Sequence, residues 1–130
     1  MLTIVAIVSA ACASNTPSAP QGPVNAQLTL APGETGVVNG AGIGITFEGV
    51  AGDSRCPGDA ICIQGGDAIV RIGVIPTTGN RATYDLHTGN TQPAKHQDLT
   101  IALEALTPYP FSSRPPISPN DYRATLRVTR

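Results

Sequence analysis

From residue 26 onward the chain alternates apolar and polar side chains with a period of two. Ala26, Leu28 and Leu30 alternate with Gln27 and Thr29, and Ile43, Ile45 and Phe47 stand opposite Thr46 and Glu48. Ala82, Tyr84 and Leu86 alternate with Thr83, Asp85 and His87, and Leu99, Ile101, Leu103 and Ala105 with Thr100, Ala102 and Glu104. The cleanest run is the last, with Tyr122, Ala124, Leu126 and Val128 facing one way and Arg123, Thr125, Arg127 and Thr129 the other. Successive side chains of a strand point to opposite faces, so each run predicts a strand with one buried face. Thr35–Asn39 adds a short strand. Ala68–Ile75 is apolar on both faces apart from Arg71, the pattern of a central strand.

Pro32-Gly33, Gly40-Ala41-Gly42 and Thr77-Thr78-Gly79-Asn80 punctuate these runs with turn chemistry. No window keeps a helical i, i+3, i+4, i+7 apolar stripe free of Gly or Pro. About seven short strands separated by turns predict an all-β fold, a single antiparallel β-sandwich, immunoglobulin-like or related. A barrel is the alternative.

The chain ahead of these strands has a different character. Leu2–Val8 is a seven-residue apolar run followed by Ser9-Ala10-Ala11-Cys12, and no charged residue precedes Glu34. A short apolar stretch ending in small residues is the core and cleavage region of a secretory signal. It is too short to span a bilayer, which takes about 20 residues. Small residues leading into a single Cys, followed by a polar stretch, resemble the lipobox of bacterial lipoproteins. That resemblance implies lipidation at Cys12 and a membrane anchor; simple secretion is the alternative. Ser14–Asn25 holds Pro17, Pro20 and Pro23 and little that can be buried, which predicts a disordered spacer. The expected organisation is therefore a signal over 1–12, a linker over 13–25 and a β-sandwich domain over 26–130. The expected location is the bacterial cell envelope, with a soluble secreted or periplasmic form as the alternative.

Composition narrows the function. With 8 basic and 9 acidic residues the net charge is −1, so there is no basic stripe to displace counterions from a nucleic acid. The absence of Trp, with only 3 Tyr and 2 Phe, leaves little for a base-stacking platform.

One segment is dense in chemistry: Asp53-Ser54-Arg55-Cys56-Pro57-Gly58-Asp59-Ala60-Ile61-Cys62-Ile63-Gln64-Gly65-Gly66-Asp67-Ala68. Two cysteines this close in an exported chain are most simply a disulfide, Cys56 with Cys62, and Pro57-Gly58 supplies the turn between them. A metal thiolate or free thiols are the alternatives; the spacing lacks a second ligand pair for zinc. Asp53, Asp59 and Asp67 lie among glycines, as oxygen ligands of calcium do, but the ordered D-x-[DN]-x-[DN]-G loop is absent. The simpler expectation is that Asp53 caps a turn and Arg55 pairs with Asp53 or Asp59, with no metal and no other cofactor. His87 is expected on the outward, solvated face of its strand. Ser112–Pro119 is expected as a proline-fixed loop before the last strand, with a surface that grips a partner as the lesser alternative.

The segment resembles a motif of small bacterial exported domains of unknown function, D-S-R-C-P-x-[DN]-x-x-C-[IV]-x-x-G-x-A. Those domains close on a Tyr-x-x-x-Leu-x-Val strand, matched by Tyr122–Val128, and carry a P-x-P element before it, matched by Pro108-Tyr109-Pro110. Where they often carry Trp two residues after the second Cys, this chain has Gln64. The resemblance implies a disulfide-closed loop on a β-sandwich and carries no activity with it. The resulting expectation is a non-enzymatic, membrane-tethered or secreted binding or structural module, with no catalytic residues. A protease-inhibitor-like module presenting its loops is the alternative, and a small enzyme stands third. An unidentified protein partner belongs to the binding and inhibitor readings, whereas a purely structural module needs none.

Overall fold

A computed structural model describes residues 23–130; the expected signal, Cys12 and most of the expected linker lie outside the described residues. Within them the chain forms β1 (Asn25–Leu30), β2 (Thr35–Val38), β3 (Ile43–Asp53), β4 (Ala68–Pro76), β5 (Ala82–His87), β6 (Ala94–His96), β7 (Leu99–Thr107) and β8 (Arg123–Thr129), with one 3-10 turn at Pro119–Asp121. Two four-stranded sheets result, ordered β1-β8-β7-β6 and β2-β3-β4-β5. Every pairing is antiparallel. The chain lays down one edge of the first sheet, winds the whole second sheet as a meander, and returns to complete the first. This is the expected all-β sandwich.

Alternation builds the core as the sequence predicts. Ile43, Ile45 and Phe47 from β3, Val70, Ile72 and Val74 from β4, and Ala124, Leu126 and Val128 from β8 meet between the sheets, nearly all fully buried. Removing a large aliphatic or aromatic side chain from water contributes about 1.5–3 kcal/mol, so this shared layer is the main source of stability. β4 lies inside its sheet, as expected, but its outer face is only partly covered, with Gly73 buried beneath the Arg81 side chain. Ile69 is half-buried, and Arg71 and Ile75 face outward.

Three details depart from the periodic reading. The folded unit starts earlier than residue 26, because Val24 is buried and its carbonyl accepts the Arg130 N–H at 3.0 Å. β6 has no counterpart in the expected set. It is only three residues long, and its hairpin with β7 turns through Gln97 at φ 54°, where a left-handed turn would ordinarily announce itself with Asn or Gly. β7 carries an irregularity between Leu103 and Ala105, so Glu104 is the extra residue. Side chains beyond a bulge change face. Leu106, not Ala105, therefore enters the core, at 5% exposure.

This register shift is testable by paired substitutions. Leu106→Ala should cost about 2–5 kcal/mol through lost contact and a residual cavity. Ala105→Ser, on the exposed face, should stay within about 0.5 kcal/mol. Urea denaturation of the two variants checks the assignment; equal losses would return Ala105 to the core.

Candidate functional site

β3 ends at Asp53, where the period-two run gives way to Ser54-Arg55-Cys56. There the chain turns Arg55 inward, and its side chain is only 5% exposed. Burying a guanidinium is tolerable only if its donors are matched. The Asp53 carboxylate, itself 13% exposed, takes Nε at 2.9 Å and Nη2 at 2.8 Å in a two-pronged pair. It also accepts the Arg55 backbone N–H at 3.2 Å, which closes the turn. Nη1 donates to the Leu106 carbonyl at 2.8 Å and Nη2 to the Pro108 carbonyl at 3.0 Å. The Tyr109 ring lies 5.2 Å beneath the guanidinium carbon. Tyr122, at the entry to β8, donates its hydroxyl to Asp53 Oδ2 at 2.8 Å. One ion pair thus ties the end of β3 to the end of β7 and the start of β8, joining the two sheets at one end of the sandwich. Thr107-Pro108, within this hub, is a cis peptide.

The hub carries the loop from Ser54 to Asp67. Cys56 and Cys62 are joined by a disulfide, with Cα atoms 6.0 Å apart. Ser54 pinches the neck. Its N–H and hydroxyl both donate to the Asp67 carbonyl, and its Oγ accepts the Asp67 N–H. No side chain fits at Gly66, where a Cβ would sit 1.4 Å from the Ser54 carbonyl oxygen. The side facing the β7–β8 connection is fastened as firmly. Gly58 N–H donates to the Pro110 carbonyl at 2.9 Å, and the Asp59 carboxylate accepts the Ser112 and Ser113 N–H groups at 2.6 and 3.0 Å. Phe111 packs on Gly58 so closely that a Cβ there would meet its ring at 2.8 Å. Past this bracing the tip is bare: Ile61 and Ile63 are fully exposed, at 104% and 105%.

The electrostatics follow from these contacts. Burial opposes ionisation of Asp53, but the hydrogen bonds from Arg55 and Tyr122 and the Arg55 charge outweigh it, so the carboxyl is held below its ordinary value. Burial pushes the Tyr122 phenol up to about 12, and its hydrogen bond to the Asp53 carboxylate adds to the shift. The Ser112 N–H, assisted by that of Ser113, holds Asp59 below the usual carboxylate range. For Asp67, desolvation is outweighed by the Gly89 N–H and by His87.

The acidic residues considered together for calcium therefore have separate partners: Asp53 the Arg55 hub, Asp59 the Ser112–Ser113 backbone, and Asp67 the His87–Gly89 corner. Among the described residues no three His, Cys, Asp or Glu side chains converge. Arg55 chooses Asp53 over Asp59. His87 is not simply solvated: its Nδ1 meets Asp67 Oδ2 at 2.5 Å, because β4 and β5 pair Ile69 with His87 and bring the start of β4 beside it. Sequence reasoning missed the sharing of Asp53 by Arg55 and Tyr122, residues 69 positions apart at their farthest, and the role of Ser112–Ser113 as an anchor for Asp59. Cys12 lies outside the described residues. Comparison with protein-family models, curated proteins and solved structures finds no match.

Two expectations follow for the hub and its loop. Arg55→Met leaves the Asp53 carboxylate buried without its partner and should cost about 3–5 kcal/mol. An Asp53→Leu/Arg55→Met double variant should lose less than the sum of the single changes. With its folded value depressed, Asp53 stabilises the protein above its unfolded value of 3.8, and that contribution disappears as the pH falls through the lower folded value. Tyr122 works in the opposite direction. Its contribution is complete below 10 and is lost as the pH rises toward about 12. Denaturant titrations across pH should show both limbs, and Tyr122→Phe should remove the alkaline one.

The disulfide closes a short loop, so the Cys56→Ser/Cys62→Ser variant should lose about 2–3 kcal/mol. For a domain of about a hundred residues this lowers the melting midpoint by roughly 10–20 °C. Unchanged melting after reduction would show that the hydrogen-bonded bracing suffices without the bridge.

Proposed function

We propose that the chain is a non-enzymatic, exported β-sandwich, held at the cell envelope through Cys12, that works as a binding module through the loop Cys56–Gly66. The observation that carries this reading is the contrast within that loop: a base fixed by a disulfide, an ion pair and backbone hydrogen bonds, and a tip offering two bare isoleucines. Folding alone favours burying such side chains. A rigid base limits the entropy lost when an exposed tip is captured, which is how preorganised loops gain affinity. The non-enzymatic part of the reading rests on the engagement of Asp53, Arg55, Asp59, Asp67 and His87 with one another and with the backbone. The disulfide favours an oxidising, exported setting.

The same bracing supports the second reading, a loop-presenting inhibitor of a peptidase, which differs only in the partner.

Photo-cross-linking in cells producing the full chain tests the module. A benzophenone side chain at position 61 or 63 should give adducts at several-fold higher yield than one at exposed position 95. Equal yields at the three positions would remove the loop as a binding element. In the same cells an alkyne fatty acid should label the wild type and not Cys12→Ser; equal labelling would remove the anchor.

A further inference from the structure

Large apolar side chains exposed among the described residues are few: Val37, Ile61, Ile63, Ile75 and Tyr109. Tyr109 already has partners in the Phe111 ring and the Arg55 guanidinium. The other four fall into two patches of opposite shape. Ile61 and Ile63 form a convex tip, and the residues from Ala60 to Gly66 include no charge.

Val37 and Ile75 form the walls of a shallow groove on the outer face of the second sheet. Strand register sets Val37 opposite Gly44 and Gly44 opposite Ile75, so a row across β2, β3 and β4 runs wall, floor, wall. Their sequence neighbours Val38, Ile45 and Val74 are buried, which fixes these three residues on the outward face. Gly44 contributes no side chain to fill the row. The resulting hollow is about 350 Å³, is continued by Thr35 and Pro76, and has no charged residue in its lining.

The two patches sit at opposite ends of the β3–β4 hairpin. The loop follows Asp53 and precedes Ala68, whereas the groove lies at Gly44 and Ile75. At about 3.3 Å per residue, the nine residues from Gly44 to Asp53 separate them by about 30 Å, so the tip of a chain lies far from its own groove.

We propose that the tip of one copy seats in the groove of a second copy, with Ile61 and Ile63 between Val37 and Ile75 over Gly44. This inference rests on the loop acting as a binding element and names its partner as another molecule of the same chain. The argument for that occupant is complementarity: one uncharged convex apolar element, one uncharged concave one, and, Tyr109 apart, no further exposed large apolar side chain among the described residues. Because each copy carries both surfaces, the contact is satisfied either by a reciprocal two-fold pair, each tip in the other copy's groove, or by head-to-tail association. The contact is small by the standard of specific interfaces and therefore weak, which makes covalent trapping the suitable readout.

The test uses two differently tagged full-length copies produced in the same cell, one with the benzophenone at position 61. The expected product joins the two tags, and its cross-linked peptide maps to the β2, β3 or β4 segment around Val37, Gly44 and Ile75. Val37→Glu in the receiving copy should reduce that product at least about ten-fold, while Lys95→Glu leaves it unchanged. Ile75→Lys provides a second groove variant. Both groove positions are exposed, and unaltered melting midpoints verify that the variants fold. An adduct to lipid, to a different protein or to another region of the copy would overturn the proposal. So would its absence, or indifference to both groove variants. An adduct to a different protein at high yield would overturn self-association while leaving the loop a binding element.

Discussion

The end of the sandwich that carries the loop depends on one buried ion pair. Asp53 and Arg55 are two residues apart, yet their partners come from β7, the segment after it and the start of β8. Removing both charges from water is expensive, and their attraction offsets that cost only when geometry is good and the remaining donors are matched. Here the fork is two-pronged and the outer guanidinium nitrogens reach two carbonyls, so the pair specifies a geometry as well as contributing energy. An apolar pair in the same place would pack, but it would not dictate where the Leu106 and Pro108 carbonyls lie.

Two kinds of stabilisation are thereby divided along the length of the molecule. Between the sheets, burial of alternating aliphatic side chains does the work and tolerates modest changes of shape. Beyond the sheets, the Ser54–Asp67 loop buries only the Arg55 side chain, so it has no apolar core of its own. Its order comes from directional contacts: a disulfide, the Ser54–Asp67 clasp, and Asp59 gripping two backbone amides. The hydrogen bonds among these contacts fix positions more sharply than they add stability, because each replaces a bond to water.

This division explains what the sequence made legible. Strands were readable because burial acts with period two, and β8 and the first half of β7 follow it without exception. The second half of β7 was not readable, since a bulge at Glu104 leaves no local mark that sets Leu106 above Ala105 as the buried residue. β6 was hidden by its three-residue length and by a turn through Gln97 instead of Asn or Gly. In the loop, Cys56 with Cys62 was legible because both members lie close in sequence. The choice of Asp53 by Arg55 was open to the same reasoning, but the involvement of Tyr122 and Leu106 was not, because only the packed sheets bring those positions together.

The exposed isoleucines gain meaning from the same physics. A loop held by polar contacts needs no apolar anchor, so aliphatic side chains at its tip contribute nothing to its order. Leaving Ile61 and Ile63 in water forgoes about 1.5–3 kcal/mol for each relative to burial. A loop free to move would hide part of that surface against the body of the sandwich. The bracing at Gly58, Asp59 and Gly66 holds the tip away from it. The contacts that order the base therefore also keep the tip exposed, and a surface kept exposed in this way is available to a second molecule without prior rearrangement.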